Sequence, residues 1–183
     1  MTKEAFVDTY YPLAKKAGDA FGLNPEVILA QAAIESGWAS SYGARVRKNF
    51  FGITAAGSPN PYWDGSYSVS KNQYKLKFRV YQSEQDSFYD FARLITSKYK
   101  AASAVSSDTT QYAQAIAYSP YISENNGDNR EGYRKGIISA ASSIASLIKK
   151  AGIRQIIIPT GVSPIVVGVI GALTAGTLAM ALT

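Results

Sequence analysis

The spacing of apolar residues in the first 150 positions is mainly that of amphipathic helices. The stretch that begins at Asn24 combines a capping residue, a proline at the first helical position and an acid in the first turn, which together mark a helix start. Its continuation, VILAQAAI, is apolar on nearly every side, which predicts a central buried helix. The predicted helices cover 4–21, 24–35, 84–97, 109–117 and 130–149.

The segments between these helices differ in kind. Residues 43–65 are rich in Gly, Asn, Pro and aromatic residues, which predicts a loop. Residues 66–81 alternate partly between polar and apolar, which predicts a short β-hairpin that turns near Lys71 and Asn72. Residues 118–129 form a long polar loop, a type of segment that often carries function. The predicted fold class is therefore mainly α, an α+β domain with a small β-hairpin lobe.

The composition changes after Arg154, the last charged residue of the chain. Residues 165–182 are small or apolar apart from two threonines, and their number is near the lower limit of about 17–25 for a membrane-spanning helix. Small residues recur four apart there, a spacing that favours self-association of such helices. We expect a domain at 1–150, a linker at 151–164 and a hydrophobic transmembrane helix at 165–182. The alternatives are a buried C-terminal helix or a flexible tail.

The charge and composition restrict the chemistry that the chain can perform. Lys and Arg number 19 against 13 Asp and Glu, a net charge of +6, and neither His nor Cys occurs. Ser-His and Cys-His nucleophile pairs are therefore excluded, as are metal sites with His or Cys ligands, and we predict no metal and no cofactor. A basic chain favours an anionic partner such as a membrane or a wall polymer. No nucleic-acid-binding motif occurs, so we do not predict a nucleic-acid partner.

One carboxylate, Glu35, ends the central apolar helix in the sequence QAAIESGW. Burial raises the pKa of a carboxyl group, and a carboxyl group that stays neutral near pH 7 can protonate a leaving oxygen. Glycoside cleavage needs that step because an alkoxide is a poor leaving group. Trp38 follows three residues later, and on a helix end it is expected to line the same pocket. The alternative is that Glu35 simply ends the helix and faces water.

Three motifs resemble a known family when they are taken together. They are QAAIESGW at 31–38, NFFGI at 49–53 and KFRVYQS at 77–83. In order and spacing they resemble glycoside hydrolase family 73, the peptidoglycan N-acetylglucosaminidases of the flagellar and autolysin type, over roughly residues 3–150. The resemblance implies a lysozyme-like fold and hydrolysis of the β-1,4 bond between N-acetylglucosamine and N-acetylmuramic acid. It also implies that Glu35 is the catalytic acid.

The resemblance suggests further site residues. Tyr121 is similar to a family tyrosine near the acetamido group of the substrate, and Tyr133 to a second tyrosine, although core packing explains Tyr133 equally well. Phe50, Phe51 and Gly52 are expected to form the groove floor beside the sugar, with a packed turn as the alternative.

Two aromatic residues are candidates for the walls of sugar subsites. We expect Tyr62 and Trp63 to be exposed. The flat C–H faces of sugar rings stack on exposed aromatic rings, so both are candidates. Interior packing is the competing interpretation for both.

The chain departs from the family pattern at the hairpin. Many relatives carry a second glutamate there, whereas this sequence reads YSVSKNQ. Asp64 is the nearest acid and is predicted to help by positioning a water molecule. Alternatively, the 2-acetamido oxygen of the sugar attacks its own anomeric carbon. Glu124 and Asp128 in the polar loop are further candidates, and ordinary solvated loop charge is the alternative for both.

Several functional hypotheses remain open at this stage. A muramidase or lytic transglycosylase would use the same glutamate on this fold, and an inactive wall-binding protein would have kept the fold alone. A pore-forming, holin-like protein would account only for the tail. The N-terminus MTKEAFVDTYY has no apolar signal-peptide core. We therefore expect a lytic domain tethered to a membrane, in the internal membrane of a phage virion or in the host envelope.

Overall fold

The computed structural model describes residues 1–71, 73–123 and 129–157, and the side chains as far as Gly152. Residues Met1–Lys150 form one compact unit. The helices are α1 (Lys3–Phe21), α2 (Pro25–Ser36), α3 (Tyr42–Arg47), α4 (Glu84–Lys98), α5 (Lys100–Ala104), α6 (Thr109–Ala117) and α7 (Arg130–Ile157), and the strands are β1 (Tyr67–Val69) and β2 (Lys77–Arg79).

The caps explain why the long helices begin where the sequence predicts. The Asn24 side chain accepts a hydrogen bond from the Glu26 backbone N–H at 2.9 Å, directly before Pro25 at the start of α2. Ser83 and Asp86 form a reciprocal capping box at the start of α4. These local bonds satisfy donors that a helix end otherwise leaves without a partner.

Helix α2 is buried in the middle of the domain. Every residue from Val27 to Ala33 is buried, and α2 packs against α1 and α6, while α1 also packs against α4. Together with α7, the apolar faces of these helices form a single core that includes Phe6, Phe88 and Ile144. The prediction of a central buried helix is confirmed, and Glu35 lies in the last turn of this helix.

The hairpin lobe is present at the predicted place. Strands β1 and β2 are antiparallel, with Tyr67 opposite Arg79 and Val69 opposite Lys77. Strand β2 also pairs with the preceding loop, because the Arg79 backbone N–H donates to the Ile53 carbonyl at 3.0 Å and Thr54 forms a bridge with Phe78. The lobe thus supports the loop that carries the NFFGI motif.

A buried carboxylate joins this lobe to the helices. Asp90 on α4 is fully buried and accepts hydrogen bonds from Arg79 at 2.6 Å, Tyr81 at 2.8 Å, Asn60 at 3.1 Å and Arg93 at 2.8 Å. Four donors to one carboxylate compensate for the loss of water around the charge. The Arg and Tyr of the KFRVY motif therefore have a structural role here, as ligands of Asp90.

Two short helices were not predicted. Helix α3 overlaps the start of the segment 43–65, whose composition predicted a loop. Its start is capped by Ser41, whose side chain accepts a hydrogen bond from the Ala44 N–H at 3.1 Å. Helix α5 has five residues. Elements this short give too few turns for an apolar period to be visible.

The C-terminal predictions fall mostly outside the described residues. Helix α7 continues to Ile157, so the predicted linker 151–164 begins within a helix. The predicted transmembrane helix at 165–182 lies outside the residues that the structure describes. Among the helices that it does describe, none is both long and apolar enough to cross a membrane.

Candidate active site

A cleft of about 570 Å³ lies where α2, α4 and α7 meet the NFFGI loop. Its walls combine one carboxylate, three tyrosines and several small or aliphatic groups. They are Glu35, Phe51, Gly52, Ile53, Thr54, Leu94, Tyr99, Tyr121, Ile122, Asn129, Gly132 and Tyr133.

Glu35 lies in this cleft and is held by a hydrogen bond. Its side chain is half-buried at the last turn of α2, and the Tyr133 hydroxyl on α7 donates to its Oε1 atom at 2.6 Å. One carboxylate oxygen is thus fixed while the carboxyl group stays on the cleft surface. This arrangement suits a group that exchanges a proton with a ligand in the cleft.

A chain of hydrogen bonds orients Tyr133. The Gln31 side-chain amide donates to the Tyr133 hydroxyl at 2.9 Å, and the buried Tyr112 hydroxyl donates to the Gln31 amide oxygen. The direction of donation is therefore the same along the whole chain, toward Glu35. Burial, then Tyr121 and the charge of Glu35, hold the pKa of Tyr133 well above its ordinary value, so Tyr133 remains a donor.

The turn after α2 directs Trp38 away from the cleft. Gly37, Trp38 and Ala39 all adopt positive φ values, of 58°, 56° and 63°, so the helical spacing ends at Ser36. The Trp38 ring packs edge-on against Phe6, 5.2 Å between centroids. Trp38 does not line the cleft, and the expectation that it shares a pocket with Glu35 is wrong.

Tyr99, Tyr121 and Tyr133 lie side by side in the lining of the cleft. Tyr121 lies 6.1 Å from Tyr133 and 5.3 Å from Tyr99, measured between ring centroids. Burial and, next, the charge of Glu35 raise the pKa of Tyr121 well above its ordinary value. The structure therefore brings Tyr121 and Tyr133 together with Glu35, as the sequence suggested.

The NFFGI loop is shaped by its first residue. The buried Asn49 side chain donates to the Ile53 and Arg79 carbonyls at 2.9 and 3.1 Å and accepts from the Ile53 N–H at 3.0 Å. Gly52 has φ +61°, a conformation that favours glycine. Phe51 stacks on Phe91 and, with Gly52, lines the cleft. These bonds fix the loop as one wall.

One member of the predicted groove floor is in the core instead. Phe50 is fully buried and packs on Tyr10 and Phe88, with ring centroids 4.7 and 5.4 Å apart. It does not line the cleft. The turn therefore places Phe50 in the core, while Phe51 and Gly52 reach the cleft.

The two predicted subsite aromatics are not cleft residues. Trp63 is 4% exposed, its indole N–H donates to the Ser66 carbonyl at 2.7 Å, and the Arg79 guanidinium lies 4.0 Å from the ring. The expectation that Trp63 is exposed is wrong. Inside the lobe, the Ser66 carbonyl accepts the hydrogen bond of its indole N–H and the Arg79 guanidinium covers its ring. Tyr62 is half-buried and stacks on Tyr89 at 5.1 Å.

Asp64 is exposed and lies outside the cleft lining. Its carboxylate accepts hydrogen bonds from the Ser66 N–H at 2.8 Å and from Gln82 at 3.0 Å. These bonds, Ser66 first, hold the pKa of Asp64 below its ordinary value. The structure does not bring Asp64 together with Glu35.

Glu124 and Asp128 lie outside the described residues. Within the part of the chain that the structure describes, no group of three or more acids could hold a metal ion.

Sequence reasoning missed several site residues. Tyr99, Thr54 and Asn129 line the cleft but belong to no motif that singled them out. Gln31 is different, because it is the one polar side chain within the apolar run of α2 and is fully buried. A buried amide needs partners, so this residue carried a signal that the pattern alone could have shown.

Most of the sequence matches a known family. The family described as Glucosaminidase, "Mannosyl-glycoprotein endo-beta-N-acetylglucosaminidase", matches residues 11–150. The chain belongs to this family. Its members are glycoside hydrolases of family 73, so the resemblance of the three sequence motifs is confirmed.

Solved structures show the same fold. The glycoside hydrolase domain of FlgJ from Salmonella typhimurium is 24% identical, with a TM-score of 0.66, and the match covers 85% of this chain and 96% of that one. A peptidoglycan hydrolase from Sphingomonas sp. A1 is 25% identical, with a TM-score of 0.62, over 80% and 94%. The predicted mainly helical, lysozyme-like domain with a small hairpin is confirmed.

Curated relatives match part of their length. "Peptidoglycan hydrolase FlgJ" of Vibrio parahaemolyticus is 30% identical over 135 residues, which is 66% of this chain and 42% of the relative. A "Probable N-acetylmuramidase" of Lactococcus lactis subsp. cremoris is 40% identical over 99 residues, 49% of this chain and 21% of the relative. The chain thus spans less than half the length of these two proteins.

Proposed function

We propose that the protein is a peptidoglycan hydrolase that cleaves the β-1,4 bond between N-acetylglucosamine and N-acetylmuramic acid, with Glu35 as general acid. The observation that carries this proposal is the Glu35 carboxyl group in the cleft wall, fixed by the Tyr133 hydroxyl at 2.6 Å. The names of the Vibrio and Sphingomonas proteins, both peptidoglycan hydrolases, support the substrate class.

The chemistry begins with a proton transfer. Glu35 gives its proton to the glycosidic oxygen as the bond from that oxygen to the anomeric carbon breaks. The resulting carboxylate is stabilised by the Tyr133 hydroxyl, which already donates to Oε1. In the second step the carboxylate takes a proton from the water that attacks the anomeric carbon.

The nucleophile of the first step comes from the substrate itself. Glu35 is the only carboxylate among the cleft-lining residues that the structure describes. The 2-acetamido oxygen of N-acetylglucosamine bonds to the anomeric carbon as the leaving group departs, and Tyr121 orients that acetamido group. This route retains the anomeric configuration. A base at Glu124 or Asp128 would invert it, and NMR of the first-formed anomer separates the two.

The reducing ends of the products test the bond that is cut. The full chain is incubated with purified peptidoglycan, and soluble products are reduced with borohydride and analysed by mass spectrometry. We expect N-acetylglucosaminitol at the reduced ends. N-acetylmuraminitol or anhydromuramic ends would instead assign the muramidase or transglycosylase reaction, which the Lactococcus relative's name favours. No products from folded protein would support a wall-binding role alone.

Removing the Tyr133 hydroxyl tests its role as a positioning group. We expect Tyr133→Phe to lower kcat by about 10–100-fold, the effect of losing a hydrogen bond to a charged group, with little change in KM. The alkaline limb of the pH–rate profile is expected to move to higher pH, because the lost donor stabilised the charged carboxylate.

A matched control distinguishes positioning from packing. Tyr99→Phe removes a hydroxyl group from the same cleft lining, next to Tyr121. The proposal gives the Tyr99 hydroxyl no part in holding Glu35. It is expected to change kcat by less than about threefold and to leave the pH limb in place. If both variants lose activity equally with unchanged pH profiles, Tyr133 only packs.

We also propose that residues 165–182 anchor the enzyme to a membrane, in a phage virion or the host envelope, and that their small residues allow self-association. The uncharged sequence supports this, as do Lys149, Lys150 and Arg154 shortly before it, which suit an anionic lipid surface. Such an anchor would confine wall digestion to the point of contact. Release of the full chain from membranes by alkaline carbonate would contradict the anchor.

A further inference from the structure

The positive charge of the chain is concentrated in one lobe. Residues 42–82 carry seven Lys or Arg and a single acid, Asp64, a balance of +6 that equals the net charge of the whole chain. The other residues carry twelve bases and twelve acids. Arg79 is buried against Asp90, and the other six bases are exposed or half-exposed. The lobe therefore presents the excess positive charge to its surroundings.

Exposed apolar side chains are concentrated in the same place. Six of the eight large apolar side chains that are exposed in the described residues belong to α3 and to residues 67–71 and 73–77, which we call the hairpin face. They are Tyr42, Val46, Tyr67, Val69, Tyr74 and Leu76, with Tyr74 71% exposed. Tyr67 and Val69 project from one side of the hairpin and Leu76 from the other, because adjacent strand residues alternate. The exposed apolar groups therefore surround the hairpin, and such a concentration of large apolar groups marks an interaction surface.

A groove of about 360 Å³ lies in the hairpin face between α3 and β1. It is lined by Tyr42, Arg47, Ser68, Val69, Ser70 and Lys71. The Arg47 Nε donates to the Ser68 hydroxyl, and its guanidinium lies 5.0 Å from the rings of both Tyr42 and Phe78. A fixed guanidinium, an ammonium group and hydroxyl groups form a donor set that suits a phosphate diester.

We propose that the hairpin face is a binding surface for anionic phospholipid, with a headgroup phosphate in the groove between Arg47 and Lys71 and the apolar side chains in the interfacial region of the bilayer. This site lies outside the catalytic cleft, because none of its residues lines that cleft. It is also independent of residues 165–182.

The side chains favour a lipid surface over a soluble anionic polymer. Val46, Val69 and Leu76 are aliphatic and gain free energy only when an apolar phase covers them. Two tyrosines are already covered on one side, because Lys77 lies 4.7 Å from the Tyr67 ring and Arg47 lies 5.0 Å from Tyr42. Tyrosine beside Lys and Arg is the composition of a membrane interface.

Vesicle binding by the full chain tests this assignment. Sedimentation gives the partition coefficient of the protein on two kinds of vesicle: 30% phosphatidylglycerol in phosphatidylcholine, and phosphatidylcholine alone. The measured quantity is the first coefficient divided by the second. A contribution of the C-terminal residues that does not depend on lipid charge cancels in this ratio. We expect Arg47→Gln with Lys71→Gln, which removes the two bases of the groove, to lower the ratio about 25-fold, because each charge contributes about fivefold at an anionic surface.

Two further variants make the result decisive. Lys16→Gln with Lys98→Gln removes the same charge from exposed positions on α1 and α4 and is expected to change the ratio less than about threefold. Tyr74→Ser with Leu76→Ser keeps the charge and is expected to weaken binding to both vesicles while the salt dependence stays unchanged. Hydrolysis of soluble glycan by all three variants is expected to stay within twofold of wild type, which also shows that they fold.

Two results would overturn the proposal. The first is an equal loss from the lobe and control charge variants, which would reflect net charge alone. The second is a lower ratio for the variant without the two hairpin-face charges, no change in vesicle binding for the variant with Tyr74→Ser and Leu76→Ser, and binding of the wild-type chain to soluble poly(glycerol phosphate). That pattern would assign the face to a wall polyanion.

Discussion

Replacing Glu35 by Gln is expected to lower the rate of peptidoglycan hydrolysis by about 10²–10⁴-fold, the usual contribution of a general acid. The amide keeps the shape of the side chain and can still accept the hydrogen bond from Tyr133, so the cleft keeps its geometry. It has no acidic proton to give to the leaving oxygen. Release of reducing ends from purified peptidoglycan measures the loss, with KM expected to stay close to that of wild type.

Asp64→Asn is the matched control for this experiment. It makes the same carboxylate-to-amide change at an exposed position outside the cleft lining, and we expect activity within about threefold of wild type. A large loss for Asp64→Asn would restore the role of Asp64 in positioning water. Full activity of folded Glu35→Gln would remove Glu35 from the chemistry altogether.

Replacing Asp90 by Ala is expected to destabilise the protein by about 3–5 kcal/mol, the cost of breaking a buried ion pair from one side. The substitution leaves the buried Arg79 guanidinium without its 2.6 Å partner and also removes the acceptor of the Tyr81 hydroxyl. Urea unfolding followed by circular dichroism measures this loss of unfolding free energy.

An exposed ion pair provides the comparison. Lys15 and Asp19 form an i,i+4 pair at 2.8 Å with both side chains more than half exposed. Asp19→Ala is expected to leave the free energy of unfolding close to that of wild type, because water already screens this pair. If Asp90→Ala lowered the free energy of unfolding as little as Asp19→Ala, the Asp90 carboxylate would not be the group that joins the hairpin lobe to α4.

The helical framework could be predicted from the sequence because its signals are local. The Asn24-Pro25 start and the apolar run after it define α2 without reference to any other part of the chain. The position of Glu35 at the end of a buried helix follows directly. Tyr121 and Tyr133, however, were placed near Glu35 by family resemblance, since residues about 90 positions apart meet only through the tertiary fold.

The incorrect predictions arose where a local rule stopped applying. Trp38 was placed beside Glu35 by helical spacing, but the helix ends at Ser36 and three residues with positive φ follow. Trp63 was expected to be exposed in a polar loop, but Arg79, sixteen positions later, covers its ring. Gly37 is a helix-stop signal in the sequence, but neither the positive φ of Trp38 and Ala39 nor the distant cation has a signature in the surrounding residues.

The short hairpin has a consequence for how the cleft moves. Strands of three residues are marginal alone, so β1 and β2 depend on the contacts of Arg79 with Asp90 and of Asn49 with the neighbouring loop. In native-state hydrogen exchange, the α2 amides should exchange only through global unfolding, and the hairpin amides through local opening. Because β2 supports Ile53 and Thr54, such an opening releases one wall of the cleft while Glu35 stays fixed on α2. A cross-linked, mesh-like substrate could enter sideways through that wall without threading a free end.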